Sequence, residues 1–159
     1  MDSFAEICDL FQFPQFVTTV AQWIYDEFWS DKDEYSVDDL AGLLRDAVAD
    51  DAVPMSLLAF CDGRPAGTIN LIENDDVQRT HLRPWLAALL VLPEYRGRGI
   101  GSALVRTLQC RAAGLGIDRL YLGTDSPDFY RRLGAVVHEQ VTDEFCIMSL
   151  ETMTAPTVS

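Results

Sequence analysis

The sequence is short of positive charge. Its 159 residues include a single lysine, Lys32, and two histidines, against 25 acidic residues, and the formal net charge at pH 7 is −13. Affinity for a phosphate backbone comes from clustered lysine and arginine side chains, so this balance argues against nucleic acid as a partner. The single lysine also excludes a nucleoside-triphosphate loop, which needs Lys-Ser or Lys-Thr after its last glycine.

Long apolar runs and closely spaced cysteines are missing as well. No run reaches the roughly 18 residues that a membrane span needs, and the first residues have neither the basic start nor the apolar block of a signal peptide. We therefore expect a cytoplasmic protein with no membrane partner. The four cysteines form no Cys-x-x-C pair, which predicts buried, reduced thiols and no metal site; they are Cys8, Cys61, Cys110 and Cys146.

The apolar content is sufficient for one large core. Of the residues, 48% are hydrophobic, and the sequence contains no repeat, low-complexity block or linker. A chain of this length needs neither metal nor disulfide bonds to fold. We therefore predict one domain over residues 1–159, with a frayed tail from 152 to 159. Whether the chain is a monomer or a homodimer stays open.

One stretch combines an apolar strand, a glycine-rich turn and a helix. The strand is predicted over Trp85–Val91, and Pro93 ends it. Apolar residues at i, i+4 and i+8 then indicate a helix face, namely Ile100, Leu104 and Leu108. Glycines in the turn permit close backbone approach or positive φ, and the first helical turn leaves N–H groups unpaired. Arg96 and Arg98 add charge where the helix dipole favours an anion, so the turn is predicted to bind a diphosphate.

Two families of phosphate loop compete for this turn. The dinucleotide pattern G-x-G-x-x-G is nearly met by Gly97, Gly99 and Ser102, with Asp118 as the acidic ribose partner, but the chain is too short for both halves of an oxidoreductase. The pattern Arg-x-x-Gly-x-Gly fits residues 96–101 at every position, and Phe-Tyr-x-x-Leu-Gly follows at residues 129–134. With both motifs, over roughly residues 85–137, the sequence resembles the GNAT superfamily of acetyl-CoA-dependent N-acetyltransferases.

The pattern of the whole chain agrees with that resemblance. Strands are predicted at 4–8, 55–61, 66–73, 85–91, 119–123, 136–141 and 145–150, and helices at 14–29, 37–48, 100–114 and 128–135. The polar segment 74–84 is predicted to be a loop. We expect an α/β fold (mixed α+β) of the GNAT type. Its sheet would be mixed and mostly antiparallel, with about six to seven strands and one splayed parallel pair, flanked by about four helices.

The resemblance implies acetyl-CoA as co-substrate and no metal. The pantetheine arm would pair with the backbone of the strand that precedes the turn, at Leu89, Leu90 and Val91. The diphosphate would lie on the turn and the first helical residues, which are Arg96, Gly97, Arg98, Gly99, Ile100, Gly101 and Ser102. Tyr130 aligns with the tyrosine that protonates the coenzyme A thiolate in this family, and main-chain N–H groups near Val91 would hold the oxyanion.

The general base is the point at which the sequence departs from many relatives. Members with a dedicated base often carry a glutamate on the strand before the turn, and the corresponding position here is about Trp85, which cannot take a proton. No base is therefore assigned. A water relay to Glu73, Asp75 or His81 stays open, as does the view that these are ordinary loop residues.

The acceptor side is expected among acidic residues. Residues 26–51 contain ten carboxylates and two cations, a balance of −8, whereas residues 94–119 contain five arginines and two carboxylates, a balance of +3. Such a field favours a small cationic amine as acceptor. Glu27 and Trp29 lie where the family usually receives the acceptor, and Glu73 is expected nearby.

Two functions are carried forward from the sequence. The first is direct transfer of the acetyl group of acetyl-CoA to a primary amine in a ternary complex. The second is a non-catalytic acyl-CoA-binding or regulatory module, in which the missing glutamate reflects lost turnover. Turnover of acetyl-CoA with a panel of amines separates them.

Overall fold

The structure, a computed structural model, describes residues 5–153. Phe4, which was predicted to open the first strand, and the predicted tail residues 154–159 lie outside this range. The strands of the described chain are β1 Ala5–Asp9, β2 Met55–Cys61, β3 Arg64–Ile72, β4 Trp85–Val91, β5 Arg119–Thr124, β6 Val136–Gln140 and β7 Cys146–Glu151. The α-helices are α1 Val17–Ile24, α2 Val37–Arg45, α3 Ile100–Gly114 and α4 Pro127–Arg132. Apart from α1, these bounds differ from the predicted ones by at most three residues.

The seven strands form one mixed sheet in the order β1-β2-β3-β4-β5-β7-β6. All neighbouring strands are antiparallel except β4 and β5. Among the described residues, the parallel ladder consists of one Cα pair, Trp85 and Tyr121. Beyond that pair β4 and β5 separate, so the expected splayed parallel pair and the predicted fold class are confirmed.

The predicted first helix, 14–29, is divided in the structure. Pro14–Phe16 form a 3₁₀ turn, because a proline at the first position fixes φ without losing a helical hydrogen bond. The α-helix then covers Val17–Ile24, and Tyr25–Trp29 form a π-helical turn. A π turn closes hydrogen bonds at i+5 instead of i+4, so it brings Trp29 back toward the side that Ile24 buries. The uninterrupted helix to Trp29 was therefore wrong.

Helix α2 begins with the predicted N-cap. The Ser36 hydroxyl accepts a hydrogen bond from the Asp39 backbone N–H at 3.1 Å, and the Asp39 carboxylate accepts one from the Ser36 N–H at 3.0 Å. This reciprocal pair is a capping box. The helix ends at Arg45, three residues before Val48, which is 69% exposed. Val48 is therefore not part of the buried stripe as predicted, whereas Leu40 and Leu44 are.

Of the three hydrophobic clusters among residues 5–153, the two largest lie on opposite faces of the sheet. Successive strand residues point to opposite faces, so Leu57 joins one cluster and Leu58 the other. The α3-side cluster includes Leu57, Ile69, Leu71, Leu104, Leu108 and Leu120. The α1/α2-side cluster includes Val20, Leu40, Leu44, Leu58 and Leu90. The sheet is thus a layer between two separately packed sets of helices.

The predictions about cysteines hold in part. All four cysteines are free thiols; Cys61 and Cys146 are buried as predicted, whereas Cys8 and Cys110 are half-buried. Within residues 5–153, no group of three potential metal-ligating side chains lies together. No helix in the same range is long and apolar enough to cross a bilayer.

The predicted frayed tail starts too early. The Thr152 N–H donates to the Asp118 carbonyl at 3.0 Å, and its hydroxyl donates to the Ile117 carbonyl at 2.6 Å. These bonds extend β7 past Glu151 and attach it to the turn before β5. Thr152 is therefore an ordered part of the fold.

Candidate active site

Strand β4 contains a bulge at its centre. In the register with β3, Thr68 pairs with Leu90 and Asn70 with Ala87, so Ala88 and Leu89 face a single residue of β3. Ala88 has a φ of 51°, a left-handed conformation that residues other than glycine rarely adopt. The extra residue changes the alternation of side chains. As a result Leu89 packs on the α3-side cluster and Ala88 on the α1/α2-side cluster.

The bulge lies in the part of β4 that has separated from β5. Because the ladder consists of the Trp85–Tyr121 pair, the β5-facing edge of the following residues has no strand partner within the described chain. The three residues predicted to bind the pantetheine arm, Leu89, Leu90 and Val91, lie along this open edge. The Val91 carbonyl already accepts a hydrogen bond from Arg96 Nε at 3.0 Å. An extended ligand arm could pair with the rest of this edge as a further strand would.

The glycine loop, residues 96–102, joins this open edge to helix α3. Gly97 and Gly99 have φ values of 79° and 80°, and a Cβ at either position would meet no atom within 4 Å. Gly99 is the N-cap of α3, no side chain caps it, and the first turn carries no acidic residue. The first N–H groups of the helix therefore point into open space beside a left-handed backbone turn. This arrangement suits a diphosphate.

The other predicted loop residues have different surroundings. Ile100 is buried in the α3-side cluster, and Ser102 is half-buried in the first turn of α3. A Cβ on Gly101 would lie 3.4 Å from Phe129 Cζ and 3.8 Å from Val91 Cγ2. These are ordinary van der Waals distances, so Gly101 lies beside Phe129 and Val91 without being required there for space.

Both arginines of the loop are exposed and contact protein atoms. Arg96 bonds to the Val91 carbonyl, as described above. The Arg98 guanidinium lies 5.5 Å from the centre of the Tyr95 ring, and its Nη1 is 3.7 Å from the Cys61 sulfur. The predicted positive charge is therefore present at the loop, although both guanidinium groups rest against the protein.

Tyr130 lies on α4, close to the same opening. It is half-buried against the α3-side cluster, and its ring meets that of Phe129 edge-on at 5.0 Å. Its hydroxyl makes no hydrogen bond with any side chain or backbone group of residues 5–153. Burial raises the pKa of Tyr130 to about 12. The phenol is therefore neutral at pH 7 and has a proton to donate.

The splayed parallel strands, the bulge, the glycine loop and the half-buried tyrosine occur together with a sequence match. The chain matches the model of the acetyltransferase (GNAT) family over residues 15–135, about three quarters of its length. It belongs to the GNAT family. No curated protein matches the sequence significantly.

The GNAT fold of this chain is also found in solved structures. An aminoglycoside 6'-N-acetyltransferase complexed with coenzyme A is 16% identical, with 96% of this chain and 99% of the other covered and a TM-score of 0.71. A GNAT acetyltransferase from Streptococcus pneumoniae is 17% identical, with coverage of 94% and 100% and a TM-score of 0.69. The aminoglycoside 6'-N-acetyltransferase from Enterococcus faecium is 16% identical, with coverage of 96% and 99% and a TM-score of 0.65. At these identities the likeness is one of fold.

Of the residues predicted for the acceptor side, Trp29 is half-buried, whereas the two glutamates are exposed. Trp29 packs against the α1/α2-side cluster, which Ala88 of the bulge also contacts. Its ring meets that of Tyr35 edge-on at 4.8 Å. Glu27 and Glu73 are exposed and make no hydrogen bond or ion pair with residues 5–153. Their predicted roles therefore stay predictions.

The segment between β3 and β4, residues 74–84, is an ordered loop. Arg79 Nη1 lies 2.8 Å from Asp76, and Arg79 Nε donates to Glu139 of β6 at 3.0 Å. At the other end of the loop, Leu82 is buried and its carbonyl accepts a 2.6 Å hydrogen bond from the Trp85 indole. These contacts attach the loop to both β4 and β6, so the groups it carries are held in place beside the opening.

Asp75 is the carboxylate of this loop whose pKa is raised. Although it retains exposed surface, the surrounding protein desolvates it, and together with the Asp76 carboxylate this raises the pKa of Asp75 to about 6. The Lys32 ammonium acts in the opposite direction, which places Lys32 within electrostatic reach of Asp75. The loop and the segment after α1 are therefore neighbours in space.

Asn70 is a candidate site residue that was not predicted from the sequence. It is 5% exposed, its Oδ1 accepts a 2.6 Å hydrogen bond from Ser56, and its Nδ2 finds no acceptor among residues 5–153. Its register partner is Ala87, next to the bulge. The sequence shows an amide between two apolar strand residues. It does not show that the amide nitrogen lies opposite the bulged part of β4 with no acceptor among residues 5–153.

Proposed function

We propose that this protein transfers the acetyl group of acetyl-CoA to a primary amine of a small cationic molecule, by direct attack in a ternary complex. The observation that carries the proposal is the opening between β4 and β5, which begins after Trp85 and leads to the glycine loop. An unpaired strand edge and a cluster of unpaired N–H groups at its end match an arm that terminates in a diphosphate.

The coenzyme would be held mainly by main-chain groups. The open edge at Leu89, Leu90 and Val91 would pair with the pantetheine arm, and the N–H groups of residues 97–102 would receive the diphosphate. Bound there, acetyl-CoA would supply the acetyl group of its thioester. Main-chain N–H groups near Val91 would lie close to the thioester carbonyl and polarise it.

Tyr130 would hold the proton that the departing thiolate needs. Two observations support this role, namely that its hydroxyl has no hydrogen-bond partner among residues 5–153 and that burial keeps the phenol neutral. A neutral donor beside an emerging anion loses its proton only as negative charge develops. Phe129, which packs against both Tyr130 and the glycine loop, would fix the ring in that position.

No side chain is assigned as the general base. Trp85 is 1% exposed and its indole N–H is already bonded to Leu82, so that position can only support the strand. The amine would therefore bind in its neutral form or lose its proton to water. Asp75 is the carboxylate best suited to receive that proton through water, because its raised pKa makes it a stronger base than an ordinary aspartate.

The preference for a cationic acceptor is supported by the charge distribution. The balance of −8 over residues 26–51 covers the π-helical turn, the following segment and α2, whereas the coenzyme side carries +3 over residues 94–119. A field of one sign at a cleft concentrates substrates of the opposite sign. Two of the similar structures are named as aminoglycoside 6'-N-acetyltransferases, which act on amines of small molecules.

A turnover assay with a panel of amines tests the proposal. Release of coenzyme A is followed with spermidine, kanamycin, zwitterionic amino acids and a peptide N-terminus, each at low and at high salt. Exposed charges are screened beyond about 8 Å at physiological ionic strength, so kcat/KM for the polycations should fall with salt and that for amino acids should not. Equal turnover of neutral or anionic acceptors, with no salt effect, would refute the cationic acceptor.

The alternative is a non-catalytic acyl-CoA-binding module, which the buried tryptophan at the usual place of the base favours. Calorimetry separates the two functions. A binding module would take up acetyl-CoA with normal affinity and turn over no amine in the panel. An enzyme would turn over at least one.

A further inference from the structure

The chain's single lysine folds back onto an aromatic side chain. The Lys32 N–H donates to the Trp29 carbonyl at 3.0 Å, which closes a turn directly after the π-helical segment. This turn brings the Lys32 ammonium to 5.1 Å from the centre of the Trp29 ring. Cations are attracted to the face of an indole at this distance.

One side chain contacts that ammonium and two others lie near it. Trp29 supplies the ring face, Tyr35 packs edge-on against Trp29 at 4.8 Å, and Asp75 reaches the same region from the 74–84 loop. We call these three residues the cation subsite. Both aromatic rings retain exposed surface, so the subsite is open to solvent.

The cation subsite holds Lys32 weakly. Within residues 5–153 the ammonium has no carboxylate within 4 Å and makes no hydrogen bond, so its contact with Trp29 is the one direct interaction of the charge. An exposed cation–π contact of this kind changes a binding equilibrium by about two- to five-fold. A second cation of similar affinity can therefore compete with Lys32 for the same place.

The subsite also lies on the same face of the sheet as the β4 bulge. Trp29 and Ala88 both pack against the α1/α2-side cluster, and Ala88 is the left-handed residue of the bulge. A positive group bound over Trp29 would thus be on the bulge side of the sheet. The 74–84 loop, which carries Asp75, is fixed to β4 and β6, so it does not need to move to complete the subsite.

We infer that Lys32 occupies, in the free protein, the subsite that receives an ammonium group of the acceptor, and that a cationic acceptor binds by displacing it. Lys32 is then a specificity-determining residue: it lowers the affinity for every cation and excludes those that cannot displace a tethered ammonium. The inference rests on the proposed function for the identity of the ligand, but the subsite itself can be measured without any transfer.

The experiment uses tetramethylammonium, which binds aromatic faces and cannot be acetylated. Its binding is followed by NMR through the indole N–H signal of Trp29, which is assigned as the signal that Trp29→Leu removes. Lys32→Ala should bind tetramethylammonium about two- to five-fold more tightly than the wild type. Lys32→Arg, which retains a tethered cation, should resemble the wild type.

Arg45→Ala is the matched control. It removes the other positive charge of residues 26–51, at the exposed end of α2, and so changes the net charge by the same amount. At physiological salt it should leave the affinity for tetramethylammonium, measured through the Trp29 signal, unchanged. A gain in Arg45→Ala equal to that in Lys32→Ala would reduce the effect to net charge and overturn the inference, as would equal affinity in Lys32→Ala and wild type.

The kinetic arm separates this inference from the proposed function. If spermidine is acetylated, Lys32→Ala should lower its KM by the same factor, with the calorimetric affinity for coenzyme A unchanged. If no amine is acetylated but Lys32→Ala binds tetramethylammonium more tightly, the proposed function fails and the occupied cation subsite stands. If amines are acetylated and no variant alters binding of the probe, the function stands and Lys32 is an ordinary surface residue.

Discussion

Trp85 and Tyr121 mark the point at which β4 and β5 part. They are the paired residues of the parallel ladder in the described chain, and their rings pack 6.2 Å apart at 45°. Trp85 is also anchored through its indole N–H to Leu82. Because Trp85 is the first residue of β4, almost the whole strand lies beyond the closed end. The opening is therefore as long as the strand itself and ends at the glycine loop.

The glycine loop is predicted to depend on the left-handed conformation of Gly99. Gly99→Ala should cost about 1 kcal/mol in stability, because an L-residue is strained at a φ of 80°, and it should weaken coenzyme A binding since the N-cap backbone would shift. Thermal melts and calorimetry measure the two effects. Gly114→Ala at the other end of α3 is the control; it meets no atom within 4 Å and should bind coenzyme A normally. Unchanged coenzyme A affinity in Gly99→Ala would contradict the binding role of the loop.

Tyr130 is predicted to contribute to kcat and not to coenzyme affinity. Tyr130→Phe retains the ring that packs against Phe129 and removes the proton, so kcat should fall by roughly ten- to a thousand-fold with acetyl-CoA binding unchanged. Tyr25→Phe, which removes a half-buried phenol from the α1/α2 side, serves as the control. A kcat in Tyr130→Phe equal to that of the control would assign Tyr130 a packing role alone.

The pH dependence of kcat should show no alkaline limb from an ordinary phenol. With the pKa of Tyr130 raised to about 12, the donor stays protonated throughout the range from pH 7 to 10.5. The stabilising effect of burying the neutral phenol is complete below pH 10, the ordinary pKa of a tyrosine, and is lost as the pH rises toward 12. Steady-state rates over this range check the prediction. A fall in kcat centred near pH 10 would show a donor with an unshifted pKa.

Asp75 and Asp76 should respond in opposite directions to loss of charge. The pKa of Asp75 is raised from 3.8 to about 6, so the folded state loses stability as the pH rises between these values. Asp75→Asn should therefore stabilise the protein at pH 7 by about 1 kcal/mol, a figure reduced for solvent screening, and give no gain at pH 4. Asp76→Asn should destabilise it by about 0.5 kcal/mol, because the ion pair with Arg79 is lost. Chemical denaturation of both variants at the two pH values distinguishes the two aspartates; equal shifts would contradict the assignment.

The elements that the sequence predicted well are those with a local cause. The capping box of Ser36 and Asp39 spans three residues, and the glycine loop follows its strand directly, so each can be recognised without knowledge of the rest of the fold. The parallel pairing of β4 and β5 followed from a right-handed crossover through α3, and their splaying from the family resemblance. The role of Tyr130 was predicted from that resemblance too, through a motif six residues long, and stays a prediction.

The features that could not be predicted depend on contacts between distant segments. The bulge at Ala88 exists only in the register between β3 and β4, and alanine gives no local sign of a left-handed conformation. The π-helical turn ends at Trp29, which packs against the α1/α2-side cluster. The ion pair between Arg79 and Glu139 joins residues sixty positions apart. The proposed acceptor side depends on such contacts, whereas the proposed coenzyme side lies mostly on contiguous sequence.

The separation of the two largest hydrophobic clusters has a consequence for the evolution of acceptor selectivity. The two clusters lie on opposite faces of the sheet, so substitutions in the two layers should have additive effects on stability. If the acceptor binds beside residues 29–36, as proposed, a combinatorial library confined to them should change the acceptor preference and leave the affinity for coenzyme A unaltered. Acceptor selectivity could then evolve while the residues proposed to bind the coenzyme stay the same.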